Sequence, residues 1–307
     1  MADITVIGSF VMDMVASVEE FPLAGQTILG KSLSKYPGGK GANQCVAMAR
    51  LGADAEMIGM LGGDENGRIF RELLKSEGIK TDNIFETHIP TAVAQIQVNN
   101  KGENKIVVIP SANFEFGFEH LKQIESVIAK TKLVVLQLEL RLDVTYEIIR
   151  TCHRLGAPVI LNPAPAVRLD EDILRMVDYL TPNETELAVL TQMPTNTQEE
   201  VFAAADKLLD IGVKNVIATL GSRGALIATR ESKKIISGYK VQAVDTVAAG
   251  DSFNGALAKC IAEGKPLEDA VKFANAVGAL TVTKRGAIPS LPKLGEVEEF
   301  IKNCKNH

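Results

Sequence analysis

Within Val244–Leu257, VDTVAAGDSFNGAL, an acid stands where a helix should begin. The apolar run Tyr239–Val244 predicts a strand ending at Asp245. Ala248, Ala249 and Gly250 then form a small-residue turn, and Phe253, Ala256, Leu257 and Ile261 recur at helical spacing. Such a turn leaves the first helical N–H groups unpaired and converging. The helix dipole adds positive potential, so phosphate is the natural guest. An acid at that mouth, Asp251, would repel phosphate. Accepting a proton from an attacking hydroxyl is the chemistry that would give it a purpose. The alternative is that Asp251 and Ser252 only cap the helix.

Other stretches have the same double character. Gly38–Asn43, GGKGAN, precedes the helical run Gln44–Leu51. Its glycines let backbone approach a ligand closely, and Lys40 and Asn43 offer donors there, or the stretch is a plain loop before a helix. Glu139 closes the apolar run Leu133–Leu138, where a carboxylate can hold hydroxyl groups or start a helix. Asn183-Glu184-Thr185-Glu186 can order water around magnesium, or form a capping box with Asn183 as cap and Glu186 as its partner. Thr219–Gly224, TLGSRG, either contacts a nucleotide or turns into the next strand. Gly25–Ser32, GQTILGKS, matches the P-loop pattern residue for residue but lacks its setting. No buried strand precedes it, Thr27-Ile28-Leu29 prefers extended structure, and Pro37 limits any helix after it.

These candidates need a scaffold, and the 307 residues are enough for one large domain or two ordinary ones. Hydrophobic residues make up 46% and charged residues 23%, as in soluble globular proteins. The net charge of −5 argues against a general nucleic-acid or anionic-membrane surface. No stretch is long and apolar enough for a transmembrane helix, and the N-terminus carries no basic segment followed by an apolar core. Cys45, Cys152, Cys260 and Cys304 are scattered without a CxxC, and the histidines are equally dispersed. The expectation is a cytoplasmic protein with free thiols.

Apolar runs at Ile4–Ile7, Ala55–Met60, Leu133–Gln137, Pro158–Leu161, Tyr179–Thr181 and Val216–Leu220 read as buried strands. Helical periodicity separates them at Ala42–Leu51, Gly67–Glu77, Phe118–Ala129, Val144–Leu155, Glu184–Thr191 and Glu199–Ile211. That alternation predicts a parallel sheet with helices on both faces and a crevice beyond the carboxyl ends of its strands. Ser9–Tyr36 and Thr91–Ile109 break the rhythm with partly polar alternation. They predict extra strands, at about 9–37 and 91–110, forming a lid on a single domain spanning 1–307.

In order, Asp13, GGKGAN, LQLE, NPAP (Asn162–Pro165), PNETE, TLGSRGA, DTVAAGDSFNGAL and Asn275 with KRGAIPS resemble the ribokinase-like family of sugar and nucleoside kinases, and its ribokinase branch in particular. The resemblance covers essentially the whole chain. It implies a doubly wound, mostly parallel α/β sheet flanked by helices, with a small β-sheet lid that also serves as a homodimer interface. The implied activity is ATP-dependent phosphorylation of the terminal O5 hydroxyl of a pentose, ribose to ribose 5-phosphate. Carried over residue by residue, Asp251 would be the base, and the amides from Ala248 through Ala249 and Gly250 to Asp251 the anion hole. Val11, Asp13, Gly39, Lys40, Gly41, Asn43 and Glu139 fall on sugar-contacting positions. Asn183, Thr219, Gly221, Ser222, Gly224, Gly250 and Asn275 fall on nucleotide positions, and Glu186 on the acid associated, through water, with magnesium. Asp245, Val247, Thr281, Lys284, Gly286 and Ser290 match a potassium loop that acts largely through backbone oxygens.

Two departures from the family pattern stand out. Ala248 replaces a common glycine, which is compatible with the ribokinase branch. Val11 stands where that branch usually has an asparagine that can contact a ribose hydroxyl, and valine can neither donate nor accept. A wall without a partner for that hydroxyl suits a sugar lacking it, so 2-deoxyribose is the alternative substrate. The other reading of Val11 is lid packing with ribose retained. A nucleoside kinase would need a shelf for its base, which Phe10, Phe21 and Phe114 could supply; a hexose kinase is a further rival. A sugar or nucleotide sensor would have no need of Asp251.

Overall fold

The computed structural model describes residues 2–305. The chain runs β1 (Ile4–Ile7), β2 (Val11–Ser17), β3 (Ser32–Gly38), α1 (Lys40–Arg50), β4 (Ala55–Gly62), α2 (Glu65–Ser76), β5 (Ile84–Thr87), β6 (Val93–Val98) and β7 (Asn104–Ile109). It continues through α3 (Phe118–Ile128), β8 (Leu133–Leu136), α4 (Leu142–Leu155), β9 (Val159–Leu161), α5 (Glu171–Leu174), β10 (Tyr179–Leu180), α6 (Glu184–Thr191) and α7 (Gln198–Ile211). The remainder is β11 (Asn215–Thr219), β12 (Ala225–Ala228), β13 (Lys233–Ile236), α8 (Ala249–Ala262), α9 (Leu267–Thr281) and α10 (Leu294–Lys305).

Nine strands form one sheet in the order β13-β12-β11-β10-β9-β8-β1-β4-β5. It is parallel except where β12 returns against β11 and β13 against β12. Strand alternation assigns each side chain to a face. Leu133 and Val135 of β8 pack with Ala42, Cys45, Val46 and Met48 of α1 and Phe70 of α2. Val134 and Leu136 pack instead with Leu121 and Ile124 of α3 and Ile148 of α4. Helices therefore cover both faces, which is why β1 and β8 are buried at every position and apolar at all but Thr5.

The lid is a separate sheet of order β3-β2-β6-β7, built from the two segments that broke the sequence rhythm. Its core is small: Val11, Ala92 and Ala94, with Ile96 against them. No helix among the described residues is long and apolar enough to cross a membrane. All four cysteines are free thiols, with only Cys304 exposed.

Several expectations are corrected. Tyr239–Val244 is not a strand. The last strand, β13, comes earlier and occupies the sheet edge, and Val244 is 54% exposed with its N–H donating to Val282 O at 2.7 Å. GQTILGKS connects β2 to β3 and enters a strand rather than a helix, so its amides cannot wrap a phosphate as a P-loop does. α5, α9, α10, β5 and β13 escaped the sequence reading altogether, and β12 was read only as the strand after the Thr219–Gly224 turn.

Candidate active site

The glycines of GGKGAN are compelled by contact. Gly39 has φ +87°, and a Cβ there would lie 2.6 Å from Val11 N. One at Gly41 would lie 2.5 Å from Ser9 N and 2.8 Å from Gly8 C. One at Gly38 would strike Asp13 Oδ2 at 2.7 Å. Only bare backbone lets the start of α1 press onto the link between β1 and β2. Glu139, just past β8, secures the corner: its Oε2 accepts from Ser9 Oγ at 2.5 Å and from Lys40 N at 2.9 Å. Gly41 N donates to the same Ser9 hydroxyl at 3.3 Å.

α8 begins differently. Its N-cap is Ala248, in the left-handed region at φ +60°, with no side-chain cap. Asp251 therefore does not cap this helix. Its carboxylate turns toward α1 instead, where Oδ2 accepts from Asn43 Nδ2 at 2.9 Å and Oδ1 from Gln44 Nε2 at 3.1 Å. Gly255, where a Cβ would meet Ala47 Cβ at 2.7 Å, lets α8 approach α1 closely enough for this. Ser252 Oγ donates to Ala249 O at 3.0 Å and accepts from Thr281 Oγ1 at 2.8 Å. Asn43 Oδ1 is buried with no partner among the described residues, an acceptor a ligand hydroxyl could satisfy.

A cleft of about 190 Å³ opens beyond the carboxyl ends of β9, β10 and β11. Lys40, Asn183, Glu186, Thr219, Ala248, Gly250 and Asp251 line it, together with Asn162, Ala164, Thr181, Thr246 and Asn254. Carboxylates crowd around it. Burial, then Glu139 and Asp251, push the Asp13 carboxyl up to about 7. Burial also raises Glu186, helped by Asp251 and opposed by the Asn183 N–H and Lys40. For Lys40, burial works to lower the ammonium, but Asp251, Glu139 and Glu186 outweigh it and hold it above its usual value. Such a site has one fixed cation among several acids, suited to a ligand that brings anions and their own metal.

Asn183 and Glu186 form the capping box: Asn183 N donates to Glu186 Oε2 and Glu186 N to Asn183 Oδ1, each at 2.8 Å. Both also line the cleft, so the cap and a water-mediated magnesium contact are compatible roles. Thr219 N donates to Pro182 O at 2.9 Å, holding the cleft ends of β10 and β11 together. Gly221, Ser222 and Gly224 lie in the turn from β11 to β12, outside the cleft wall. A Cβ on Gly224 would meet Ile236 O at 2.0 Å. Asn275 Nδ2 donates to Ile236 O and Ser237 O at 3.0 and 3.2 Å, so α9 and this turn share the segment after β13.

The proposed potassium residues converge in part. Asp245 Oδ1 accepts from Val247 N at 3.1 Å and Oδ2 from Gly286 N at 2.9 Å, tying two loops together. The carbonyls of Asp245, Val247, Lys284 and Gly286 accept no hydrogen bond among the described residues, which fits a monovalent cation held by backbone oxygens. The Lys284 side chain points elsewhere, to Glu296 at 2.6 Å, and Ser290 Oγ is spent on Ala287 O at 2.8 Å.

On the lid, Val11 and Asp13 share one face of β2 by alternation, with Val11 only 4% exposed beside Ala92 and Ala94. Phe10 is no shelf for a base: it is fully buried, its ring 5.2 Å from that of Phe70. Sequence reasoning missed Gln44, Thr181, Asn254 and Ser9, whose polar groups hold the reacting ones. The available signal was glutamine at 44 and 137 inside otherwise apolar runs.

A family model described as pfkB family carbohydrate kinase matches residues 1–294. A ribokinase from Haemophilus influenzae is 38% identical across 98% of this chain and 99% of its own. A deoxyribokinase from Salmonella typhi is 36% identical, covering 97% and 98%. The structure of Arabidopsis thaliana ribokinase complexed with ribose and ATP superposes with a TM-score of 0.91 at 32% identity, covering 98% of this chain and 99% of that one.

Proposed function

The chain belongs to the pfkB family of carbohydrate kinases, and from that premise we propose that it transfers the terminal phosphoryl group of ATP to the O5 hydroxyl of ribose, giving ribose 5-phosphate. The observation that carries this reading is Asp251, buried in the first turn of α8, lining the cleft and held by two amides rather than capping its helix.

Asp251 accepts the proton of the sugar hydroxyl as that oxygen attacks phosphorus. The amides from Ala248 to Asp251, at the positive end of α8, receive the charge of the migrating phosphoryl group. Asp13, Asn43 and Glu139, with the backbone of Gly39, Lys40 and Gly41, orient the sugar. Asn183, Thr219, Gly221, Ser222, Gly224, Gly250 and Asn275 form the nucleotide side. Glu186 would hold magnesium through water, and that ion would supply charge neutralisation on the phosphates. Asp245, Val247, Thr281, Lys284, Gly286 and Ser290 would hold potassium, largely through backbone oxygens, and the ion would stiffen the turn that leads into α8.

The protein is one α/β domain carrying the lid as inserted strands, and it works in the cytoplasm, where free thiols persist. Its lid pairs two copies. The outer strand β7 exposes Ile106, Val107, Val108 and Ile109, an apolar run a lone subunit would leave in water.

A second reading, 2-deoxyribose as substrate, rests on Val11, Ala92 and Ala94, which give the crevice side of the lid an apolar wall next to Asp13. Comparing kcat/KM for ribose and 2-deoxyribose, with ATP and magnesium and with or without potassium, separates the two. Ribose is expected to lead, with Val11→Asn widening its advantage by about tenfold, the worth of one hydroxyl partner. A lead for 2-deoxyribose that Val11→Asn reverses would establish the second reading. Asp251→Asn should lower kcat by at least ~100-fold with little change in KM; near-normal kcat would remove Asp251 from the role of base.

A further inference from the structure

We propose that Gln44 is a positioning residue for the reaction, aiming the Asp251 carboxylate from behind through a hydrogen-bond relay that begins at Thr181. This rests on Asp251 being the base. Gln44 is fully buried and forms no part of the cleft wall, so it acts on substrate only through Asp251.

The relay has a fixed direction. The carbonyl of Thr181 can only accept, and Asn162 Nδ2 donates to it at 3.2 Å. Asn162 Oδ1 is thereby turned toward Gln44 and accepts from Gln44 Nε2 at 3.1 Å. The same nitrogen donates its second hydrogen to Asp251 Oδ1 at 3.1 Å. From the other side, Gln137 Nε2 donates to Gln44 Oε1 at 2.7 Å. Reversing the Gln44 amide would set oxygen against the acceptor oxygens of Asn162 and Asp251, and nitrogen against the nitrogen of Gln137. Asn162 and Asp251 therefore dictate the orientation that presents N–H to the base, and Gln137, whose own Oε1 has no partner among the described residues, follows it.

Thr181 governs the anion hole by a second arm. Its hydroxyl donates to Asn254 Oδ1 at 2.6 Å, and Asn254 Nδ2 donates to Gly250 O at 2.9 Å. One residue at the end of β10 thus registers both the base and the turn that receives the phosphoryl group.

The charges around Asp251 make this support necessary. Asp13 and Glu186 repel its carboxylate, and Lys40 attracts it. With Asn43 alone, the carboxylate is free to turn toward the Lys40 ammonium and away from the sugar hydroxyl. A misplacement of that kind costs on the order of 10- to 100-fold in rate.

The test is a double-mutant cycle on the full-length enzyme with the best pentose, ATP and magnesium. Gln44→Met keeps the length of the side chain and removes the amide. It should lower kcat by about 10- to 100-fold while both KM values stay within about threefold. In the Asp251→Asn background the same change should have no further effect, because its target is gone. An equal loss in both backgrounds, or a loss carried by KM, overturns the proposal. Should Gln44→Met fail to fold, Gln137→Met, which frees only Gln44 Oε1, is judged by the same split, with a kcat loss of about three- to tenfold expected; unchanged kcat there overturns it. If Asp251→Asn alone leaves kcat intact, the assignment of the base has failed instead.

Discussion

Two helices start at this cleft, and they are built on opposite terms. At α1, added methyls on Gly39 and Gly41 would collide with the backbone of residues 8–11 at 2.5–3.1 Å. At α8, a methyl on Gly250 would meet nothing within 4 Å, and the left-handed position is filled by Ala248. The first start is closed by the protein itself; its glycines are the condition for the chain to pass. The second is left open, and its glycine clears space for something the chain does not supply. A glycine-rich motif therefore does not by itself mark a ligand site. Where the vacant Cβ position points, into backbone or into a cleft, tells the two apart.

The largest effect that bears on this contrast is expected at the closed end. Gly41→Ala forces two backbones apart and should destabilise the fold by about 1–3 kcal/mol, with loss of pentose binding. A wild-type melting temperature in that variant would break the contrast. At the open end the outcome should be inverse: Gly250→Ala stabilises α8 by about 0.5–1 kcal/mol through helix propensity. The same variant should lower kcat/KM for ATP by about tenfold, because phosphate meets the new methyl. Full activity with raised stability would show that no ligand approaches Gly250.

The most gradual effect, spread across the pH scale, lies in the charge packed against the closed corner. The Asp13 carboxyl is held at about 7 in the fold against an ordinary 3.8. Between those values the folded protein keeps a proton that the unfolded chain has lost, so the stability tied to this group is full below about pH 4 and falls as pH rises toward 7. Asp13→Asn removes that dependence. Melting temperatures across pH 5 to 8 should show the variant gaining on the parent as pH rises and levelling off above about 7. A constant difference would mean Asp13 titrates as an exposed acid.

The sequence disclosed the alternation of buried strands and helices well because each strand of the main sheet is apolar on both faces and each helix on one. Prediction stopped at the sheet's edge. β12 and β13 return antiparallel there, and Tyr239–Val244, as apolar as a strand, pairs with neither. In the site, Asp251 and GGKGAN were legible because a carboxylate or paired glycines at a helix start already suggest chemistry. Whether Asp251 capped its own helix was undecidable, since the answer lies in residues 43 and 44, more than two hundred positions away. Gln44 was missed for the same reason: in sequence it is a polar residue beside Asn43 at a helix start, and only packing shows that its amide meets two other amides and the Asp251 carboxylate. Asn183 and Glu186 were read as cap or metal site; they form the capping box, and both also line the cleft.

The interior place of β1 in the nine-stranded sheet has a consequence for how the molecule is made. Of the strands in this sheet it is made first, yet its two neighbours are β4 and β8, with Ile4 beside Ala55 and Leu133. During synthesis one edge stays unpaired until more than a third of the chain has followed, an interval in which a growing polypeptide is exposed to misassociation. Asp251 arrives later still. A nascent chain can thus complete the tight corner at α1 and lay down every strand of its sheet before Asp251 exists.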